Sequence, residues 1–146
     1  MTQSIIQKVS ILFVLCFMLL LNGVSHAASS TDVITPSSKI LWQSWSSAPF
    51  QQAKVKNRLV LVEIKAEWCH WCSLMNDITF QDKDVIKMIN LSYIPVRLDV
   101  DKDLNVIRQF RANSLPTILI LNANHKIIKQ LSGYISPAEL VKKLEN

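Results

Sequence analysis

The run Trp68–Cys72 (WCHWC) holds two cysteines with two residues between them. Two thiols at this spacing can form and break a disulfide, which carries two electrons between the dithiol and disulfide states. The third cysteine, Cys16, lies far away in an apolar N-terminal stretch. The spacing therefore predicts thiol–disulfide chemistry at Cys69 and Cys72.

Three other roles for the cysteine pair stay open at this point. A structural disulfide is one, although a bridge across two residues restricts the unfolded chain little. A metal site needs about four ligands, and besides the cysteines this region offers only His70 and the distant His125. A covalent haem site requires histidine directly after the second cysteine, where this chain has Ser73. The pattern favours redox chemistry and predicts no metal and no cofactor.

The elements around the motif are predicted to expose one sulfur and bury the other. Leu59–Ala66 (LVLVEIKA) is a near-continuous aliphatic run, typical of a central parallel strand covered on both faces. A helix is predicted from Cys69 to about Asp77 or Phe80. Free N–H groups and the positive dipole end at a helix start stabilise an anion, so Cys69 is expected to form the thiolate. A free cysteine has a pKa of about 8.5, and such motifs lower that of the first sulfur to roughly 3.5–7.5, further if His70 is protonated.

Glu63 is a carboxylate inside this strand, six residues before Cys69. Burial raises the pKa of a carboxyl, which would make Glu63 a proton acceptor for Cys72, the deeper and less reactive sulfur. The alternative is a strand-edge position at which Glu63 faces water. An ion pair with Arg97 on the next strand would hold Glu63 ionised and weaken it as a base; an ordinary exposed strand position is the alternative for Arg97.

Eight further elements are predicted from hydrophobic periodicity and from turn or capping residues. In chain order they are a strand over Ile40–Trp45, a helix from Ser46 or Ser47 to Val55, a helix over Val85–Asn90 capped by Asp84, a strand over Tyr93–Val100, a short helix marked by Leu104, Ile107 and Phe110, strands over Thr117–Leu121 and Ile127–Leu131, and a closing helix after the capping box Ser136–Glu139. Strands alternate with helices and the chain ends β-β-α, which predicts a compact α/β sandwich.

The first 27 residues predict a secretory signal. Lys8 precedes a 13-residue apolar run, too short for the roughly 20 residues of a spanning helix. Small residues at Ser25 and Ala27 predict cleavage between Ala27 and Ala28; an uncleaved anchor is the alternative. Residues 28–39 are predicted to be a flexible mature N-terminus and residues 40–146 one domain.

Composition and charge exclude several classes of protein. Hydrophobic residues make up 49% and charged residues 18% of the chain, which excludes a disordered tail. The net charge of +5 is scattered, with no run of five like charges, so nucleic-acid binding is not predicted. Gly133 is the only glycine after the leader, which excludes a glycine-rich phosphate loop.

The segment Ala66–Cys72 (AEWCHWC) resembles the active-site segment of thioredoxin-like proteins. With Trp71 before the second cysteine and Met75 three residues after it, the chain is similar to exported thioredoxin-like proteins and to the C-terminal domain of DsbD thiol:disulfide interchange proteins. Ser114–Thr117 (SLPT) looks like the cis-proline loop of this family. The resemblance implies a thioredoxin fold, with a central mixed β-sheet flanked by helices, and thiol–disulfide oxidoreductase activity that needs no cofactor.

The same resemblance implies a substrate-contact surface around the cysteines. Pro116 is implied to be cis, whereas the base rate of roughly 5–6% for cis X–Pro bonds alone favours trans. The backbone of Leu115 is implied to pair with a substrate strand, and Thr117 belongs to the same loop. Trp68 and Trp71 are expected to flank the reactive sulfur as an apolar patch; the alternative is core packing, which is favoured for one of them.

These patterns predict a periplasmic thiol–disulfide oxidoreductase that acts on protein thiols and disulfides, more as a reductant than as an oxidant. In the periplasm, the oxidised cysteine pair of a reductant must be reduced again after each turnover. This implies a membrane electron-transfer protein of the DsbD type as partner. The chain departs from the family at Ser73, where lysine or arginine is frequent, and at His70-Trp71, where thioredoxins proper have Gly-Pro. The dipeptide influences redox poise, so the direction of electron flow stays open. The alternative function is a non-catalytic binding module that uses the aromatic patch.

Overall fold

Residues 37–145 are described by a computed structural model. The predicted signal over residues 1–27, its cut before Ala28, and most of the segment 28–39 lie outside these residues. Across residues 37–145, no helix has both the length and the apolar character that crossing a membrane requires.

Nine helices and strands form within the described part of the chain, joined by two 3₁₀ turns. In chain order they are α1 (Ser47–Lys56), β1 (Leu59–Lys65), α2 (His70–Asp77), a 3₁₀ turn (Thr79–Gln81), α3 (Lys83–Ser92), β2 (Tyr93–Asp99), α4 (Val100–Ile107), a second 3₁₀ turn (Arg108–Phe110), β3 (Thr117–Leu121), β4 (Ile127–Ser132) and α5 (Pro137–Glu145). The α/β alternation and the β-β-α ending predicted from the sequence are confirmed.

The four strands form one mixed sheet in the order β2-β1-β3-β4. β1 lies in the middle, parallel to β2 and antiparallel to β3, and its five inner residues are buried. Helices cover both faces of this strand. The sequence LVLVEIKA is therefore apolar at nearly every position and does not alternate between apolar and polar residues. The antiparallel hairpin of β3 and β4 completes the sheet.

Side chains alternate along β1 between two apolar cores. Val60, Val62 and Ile64 pack on one face with residues of α1 and α4, whereas Leu61 packs on the other face with residues of α2, α3 and α5. Glu63 has the parity of Leu61. The carboxylate therefore points to the face that α2 covers.

The predicted first strand over Ile40–Trp45 is wrong, because only Gln43 pairs with the sheet, through an isolated parallel bridge to Val96. The apolar residues of this segment pack in different places. Ile40 and Trp42 belong to the core under α2, and Trp45 belongs to the core under α1. The apolar side chains of this segment thus divide between the two cores on opposite faces of the sheet. The sequence pattern of a single strand does not reveal this division.

The cap of α3 is also different from the prediction. Asp82, and not Asp84, precedes the helix, and its Oδ1 accepts hydrogen bonds from the amides of Asp84 (2.9 Å) and Val85 (3.1 Å). Asp84 lies in the first turn, where its charge still interacts favourably with the helix dipole. Both aspartates suit a helix start, so residue type alone does not decide which of them is the cap.

Candidate functional site

A disulfide joins Cys69 and Cys72 at the start of α2. Cys69 is the N-cap residue in an extended conformation, and its Sγ accepts a hydrogen bond from the Cys72 amide at 3.2 Å. A sulfur in an N-cap position takes the place of the side-chain oxygen that usually satisfies the first free amides of a helix. When the disulfide is reduced, the same amide and the helix dipole favour a thiolate on Cys69.

The two sulfurs differ in exposure. Cys69 keeps 7% of its surface accessible and Cys72 keeps 2%. Ala66 and the half-buried Val100 and Leu115 pack against the pair. Cys72 is thus the deeper sulfur, and its apolar neighbours come from three separate parts of the chain.

Both tryptophans of the motif are exposed, so the expectation that one of them packs in the core is wrong. Trp68 keeps 69% of its surface accessible and Trp71 keeps 55%. The Trp68 Nε1 donates to Asp101 Oδ2 at 3.2 Å, and Trp71 lies 5.9 Å from the ring of Tyr134. The two indoles, with the exposed His70 beside them, form an apolar surface next to Cys69.

The loop before β3 lies against the cysteine pair. The Leu115–Pro116 peptide bond is cis, and Leu115 packs on the disulfide. The amide of Gly133 donates to the Pro116 carbonyl at 2.8 Å, at a position where φ is +84° and glycine is favoured. Thr117 is fully buried and donates to the Ser114 carbonyl at 2.7 Å. Its side chain therefore anchors the loop.

Glu63 is fully buried in the middle of the sheet, so the strand-edge alternative is wrong. Arg97 is its register partner on β2, and Arg97 Nε donates to Glu63 Oε2 at 2.6 Å. Arg97 is only 24% exposed, which also corrects its interpretation as an ordinary exposed strand residue. Burial raises the pKa of Glu63, and the charges of Arg97 and then Lys65 oppose that rise without cancelling it.

The two oxygens of the Glu63 carboxylate have different surroundings. Oε2 is held by Arg97, whereas Oε1 is buried and accepts no hydrogen bond from any residue of the described chain. A cavity of about 230 Å³ opens between β1, β2 and α2, and both Cys72 and Arg97 line it. The cavity therefore brings Cys72 and Arg97, the partner of the buried Glu63, to one polar space.

Three residues at this site are missed by the sequence analysis. Asn76 Oδ1 accepts from Arg97 Nη2 at 3.2 Å, Trp42 lies under the Arg97 guanidinium, and Asp101 holds Trp68. Asn76 follows Cys72 by four residues on one helix face, a spacing that could have identified it. Trp42 and Asp101 reach the site only through tertiary contacts.

The described part of the chain contains no cluster of side chains suited to bind a metal ion. Within residues 37–145, the structure groups no three His, Cys, Asp or Glu side chains so that they could hold a metal ion.

The chain matches one protein family and a set of related sequences. The family is described as Thioredox_DsbH, Protein of unknown function, DUF255, and the match covers residues 22–115. A thiol:disulfide interchange protein DsbD from Campylobacter jejuni (strain RM1221) is 27% identical over 99 residues, which are 65% of this chain and 17% of that protein. The chain thus corresponds to a small part of the length of this relative.

Solved structures of similar shape share the fold. A thioredoxin from Thermus thermophilus superimposes with a TM-score of 0.62 at 22% identity, covering 71% of this chain and 85% of that one. A structure described as DsbH oxidoreductase superimposes with a TM-score of 0.64 at 17% identity, covering 73% and 83%. The fold observed here is therefore the thioredoxin fold, as the sequence resemblance implies.

Proposed function

Because the chain belongs to the thioredoxin-like DsbH/DUF255 family, we propose that it is a thiol–disulfide oxidoreductase of the bacterial periplasm that reduces disulfides in other proteins. The observation that carries the proposal is the position of the Cys69–Cys72 disulfide. It caps a helix start, with Cys69 at the helix N-terminus and the less accessible Cys72 behind it, next to an exposed aromatic surface on which a protein substrate can lie.

The reaction begins with the reduced pair. The Cys69 thiolate attacks one sulfur of a substrate disulfide, which forms a mixed disulfide and releases the other substrate sulfur as a thiolate. Cys72 then loses its proton and attacks the Sγ of Cys69, which releases the second substrate thiolate. The protein ends with the Cys69–Cys72 disulfide and the substrate has gained two electrons, so no cofactor takes part.

Glu63 accepts the proton that Cys72 loses in this second step. Its Oε1 accepts no hydrogen bond within the described chain, and burial raises the pKa of the group, which makes the carboxylate a stronger base than an exposed one. The cavity lined by Cys72 and Arg97 has room for several water molecules, each of which occupies about 30 Å³ in the liquid. Water in that cavity carries the proton between the sulfur and the ion pair.

The substrate surface consists of exposed aromatic and loop groups. Trp68 and Trp71 supply apolar area beside Cys69, and His70 adds a group that can donate or accept hydrogen bonds. The side chain of the half-buried Leu115 packs against the disulfide, and its backbone belongs to the same loop. An extended substrate segment can pair with this backbone while its cysteine reaches Cys69.

A reductant role requires an electron donor, because an oxidising compartment keeps a cysteine pair without a donor in the disulfide state. A membrane electron-transfer protein of the DsbD type is the proposed donor, and proteins with oxidised cysteines are the acceptors. Equilibration of the Cys69–Cys72 pair with glutathione measures the direction. A potential near the thioredoxin value of about −270 mV supports a reductant, and one near the DsbA value of about −120 mV supports an oxidant.

The activity itself is tested by insulin reduction with dithiothreitol as electron source. We expect the protein to shorten the lag before reduced insulin precipitates, because its pair mediates the exchange. A Cys69→Ser, Cys72→Ser double variant is the matched control and should equal the blank. No acceleration by the native protein would favour the alternative, a binding module that uses the aromatic surface without redox turnover.

Export is proposed from the first 27 residues, followed by a linker to residue 39 and the thioredoxin-like domain from residue 40. Cleavage between Ala27 and Ala28 would release the mature protein into the periplasm. N-terminal sequencing of the protein from a periplasmic extract is expected to begin at Ala28. Retention of Met1 in a membrane fraction would contradict this and support the uncleaved anchor.

A further inference from the structure

We propose that Trp42 is a positioning residue for the second half of the exchange reaction: its indole holds the Arg97 guanidinium in place against the Glu63 carboxylate. The inference rests on the proposed function, since it assigns Trp42 a part in the proton transfer from Cys72 to Glu63. Within residues 37–145, the ring contacts of Trp42 are with Phe80 and Arg97.

The guanidinium of Arg97 is held from three sides. Its Nε donates to Glu63 Oε2 at 2.6 Å, and its Nη2 donates to Asn76 Oδ1 at 3.2 Å. Its Cζ lies 4.3 Å from the centroid of the Trp42 ring. A cation over an indole face is attracted by the ring quadrupole, and the attraction is larger where water is partly excluded. The indole thus covers one face of the guanidinium, while the two hydrogen bonds hold its edge.

Trp42 is itself fixed relative to Arg97 by the backbone. The amide of Arg97 donates to the Gln43 carbonyl at 3.0 Å, and the amide of Gln43 donates to the Pro95 carbonyl at 3.1 Å. Phe80 supports the outer part of the indole in an edge-to-face contact at 5.0 Å. The single bridge at Gln43 is therefore sufficient to register the indole against the side chain of Arg97.

Loss of the indole would let Arg97 turn into the cavity that it lines. The other charged or titratable groups at this cavity are Lys65, Glu67, Cys72 and Asp77. Asp99 pairs with Lys65 at 3.7 Å, and β3 places the uncharged Ile118 opposite Glu63. Arg97 is the only one of these groups that donates to Glu63 in the described chain. With Arg97 displaced, the buried carboxylate loses its main stabilising charge and stays protonated to higher pH.

The test follows the two thiol steps separately with dithiobis-nitrobenzoate as the substrate disulfide. Its first thionitrobenzoate is released when Cys69 attacks, and the second when Cys72 resolves the mixed disulfide. The rate of the second release is measured against pH for the native protein, Trp42→Leu and Trp42→Phe. Trp45→Leu is the matched control, because Trp45 lies in the same segment but packs on Phe50 and Phe110 on the other face.

In a plot of the second-release rate against pH, the rising limb is the range over which the rate increases. We expect Trp42→Leu to shift this limb to higher pH by roughly 0.5–1 unit, the size expected from a contact of this kind. Below the limb this slows the second release about three- to tenfold, while the first release is unchanged. Trp42→Phe restores most of the shift, since it keeps an aromatic face. Trp45→Leu lowers the melting temperature without moving the limb.

Two results would overturn the inference while leaving the proposed function intact. One is a limb in Trp42→Leu that coincides with the native limb although Glu63→Gln removes it. The other is an equal shift in Trp45→Leu, which would mean that general loosening of the segment moves the limb. A limb that Glu63→Gln leaves unchanged would instead overturn the assignment of Glu63 and the inference with it. Failure of the native protein in the insulin assay would overturn the proposed function itself.

Discussion

Cys72→Ser is expected to trap substrate proteins covalently on Cys69, and Cys69→Ser is expected to trap almost none. In the first variant Cys69, the more accessible of the two sulfurs, still attacks, but serine cannot resolve the mixed disulfide. In the second variant the remaining sulfur is 2% exposed behind Ala66 and Leu115 and lacks the N-cap amide. Both single variants should be at the level of the blank in the insulin assay.

Trapping is measured by affinity purification from periplasmic extract without reductant, followed by release with dithiothreitol. A complementary measurement alkylates the reduced native protein with iodoacetamide at mildly acidic pH. The thiolate is the nucleophile, so Cys69 should be labelled and Cys72 largely spared. Equal labelling of both sulfurs, together with no trapped protein, would support a structural disulfide and contradict the enzyme proposal.

Glu63→Gln is expected to slow the second thiol step by about 10²-fold, the lower end of the effect of a positioned proton acceptor, and to spare the first. Glutamine keeps the size of the side chain but cannot take the proton of Cys72. Asp99→Asn is the matched control, since Asp99 is the other buried carboxylate of the described chain and caps α4, where asparagine caps equally well. Equal slowing of both steps, or of neither, would contradict the role of Glu63.

The same substitution has an expected signature in the pH dependence of stability, measured on the oxidised protein so that no thiol titrates. The pKa of Glu63 is raised above its usual 4.5 in the folded protein, so the folded state binds the proton more tightly than the unfolded state. The unfolding free energy of the native protein should therefore fall, relative to Glu63→Gln, as pH rises from about 4.5 through the folded-state pKa. Urea denaturation of both proteins at several pH values measures it. A difference that is independent of pH would mean that burial does not perturb this carboxyl.

The elements that position the cysteines could be predicted from the sequence, because local patterns dictate them. The aliphatic run of β1 requires cover on both faces, and the hairpin of β3 and β4 follows from two short apolar runs around turn residues. The cysteine spacing places Cys69 and Cys72 at a helix start in this context. Each of these features depends on residues within a few positions of one another.

The features that could not be predicted depend on which face of the sheet a residue meets. Ile40, Trp42 and Trp45 look like one strand, but they divide between two cores. Trp68 and Trp71 are large and apolar, yet both stay exposed, because the core next to the disulfide is filled by residues from other segments. The sequence suggests the ion pair of Glu63 with Arg97, because the two residues lie on successive strands, but the contact of Trp42 with Arg97 depends on the fold.

The single bridge at Gln43 has a consequence for the energetics of local opening. β1 is hydrogen-bonded along its length to strands on both sides, whereas the segment around Gln43 is joined to β2 by two backbone hydrogen bonds. Regions with few such bonds open at a fraction of the global unfolding free energy. The segment around Gln43 can thus detach from β2 as a small cooperative unit while the strands of the sheet stay paired. Such a fluctuation would expose the Glu63–Arg97 ion pair to water without unfolding the domain.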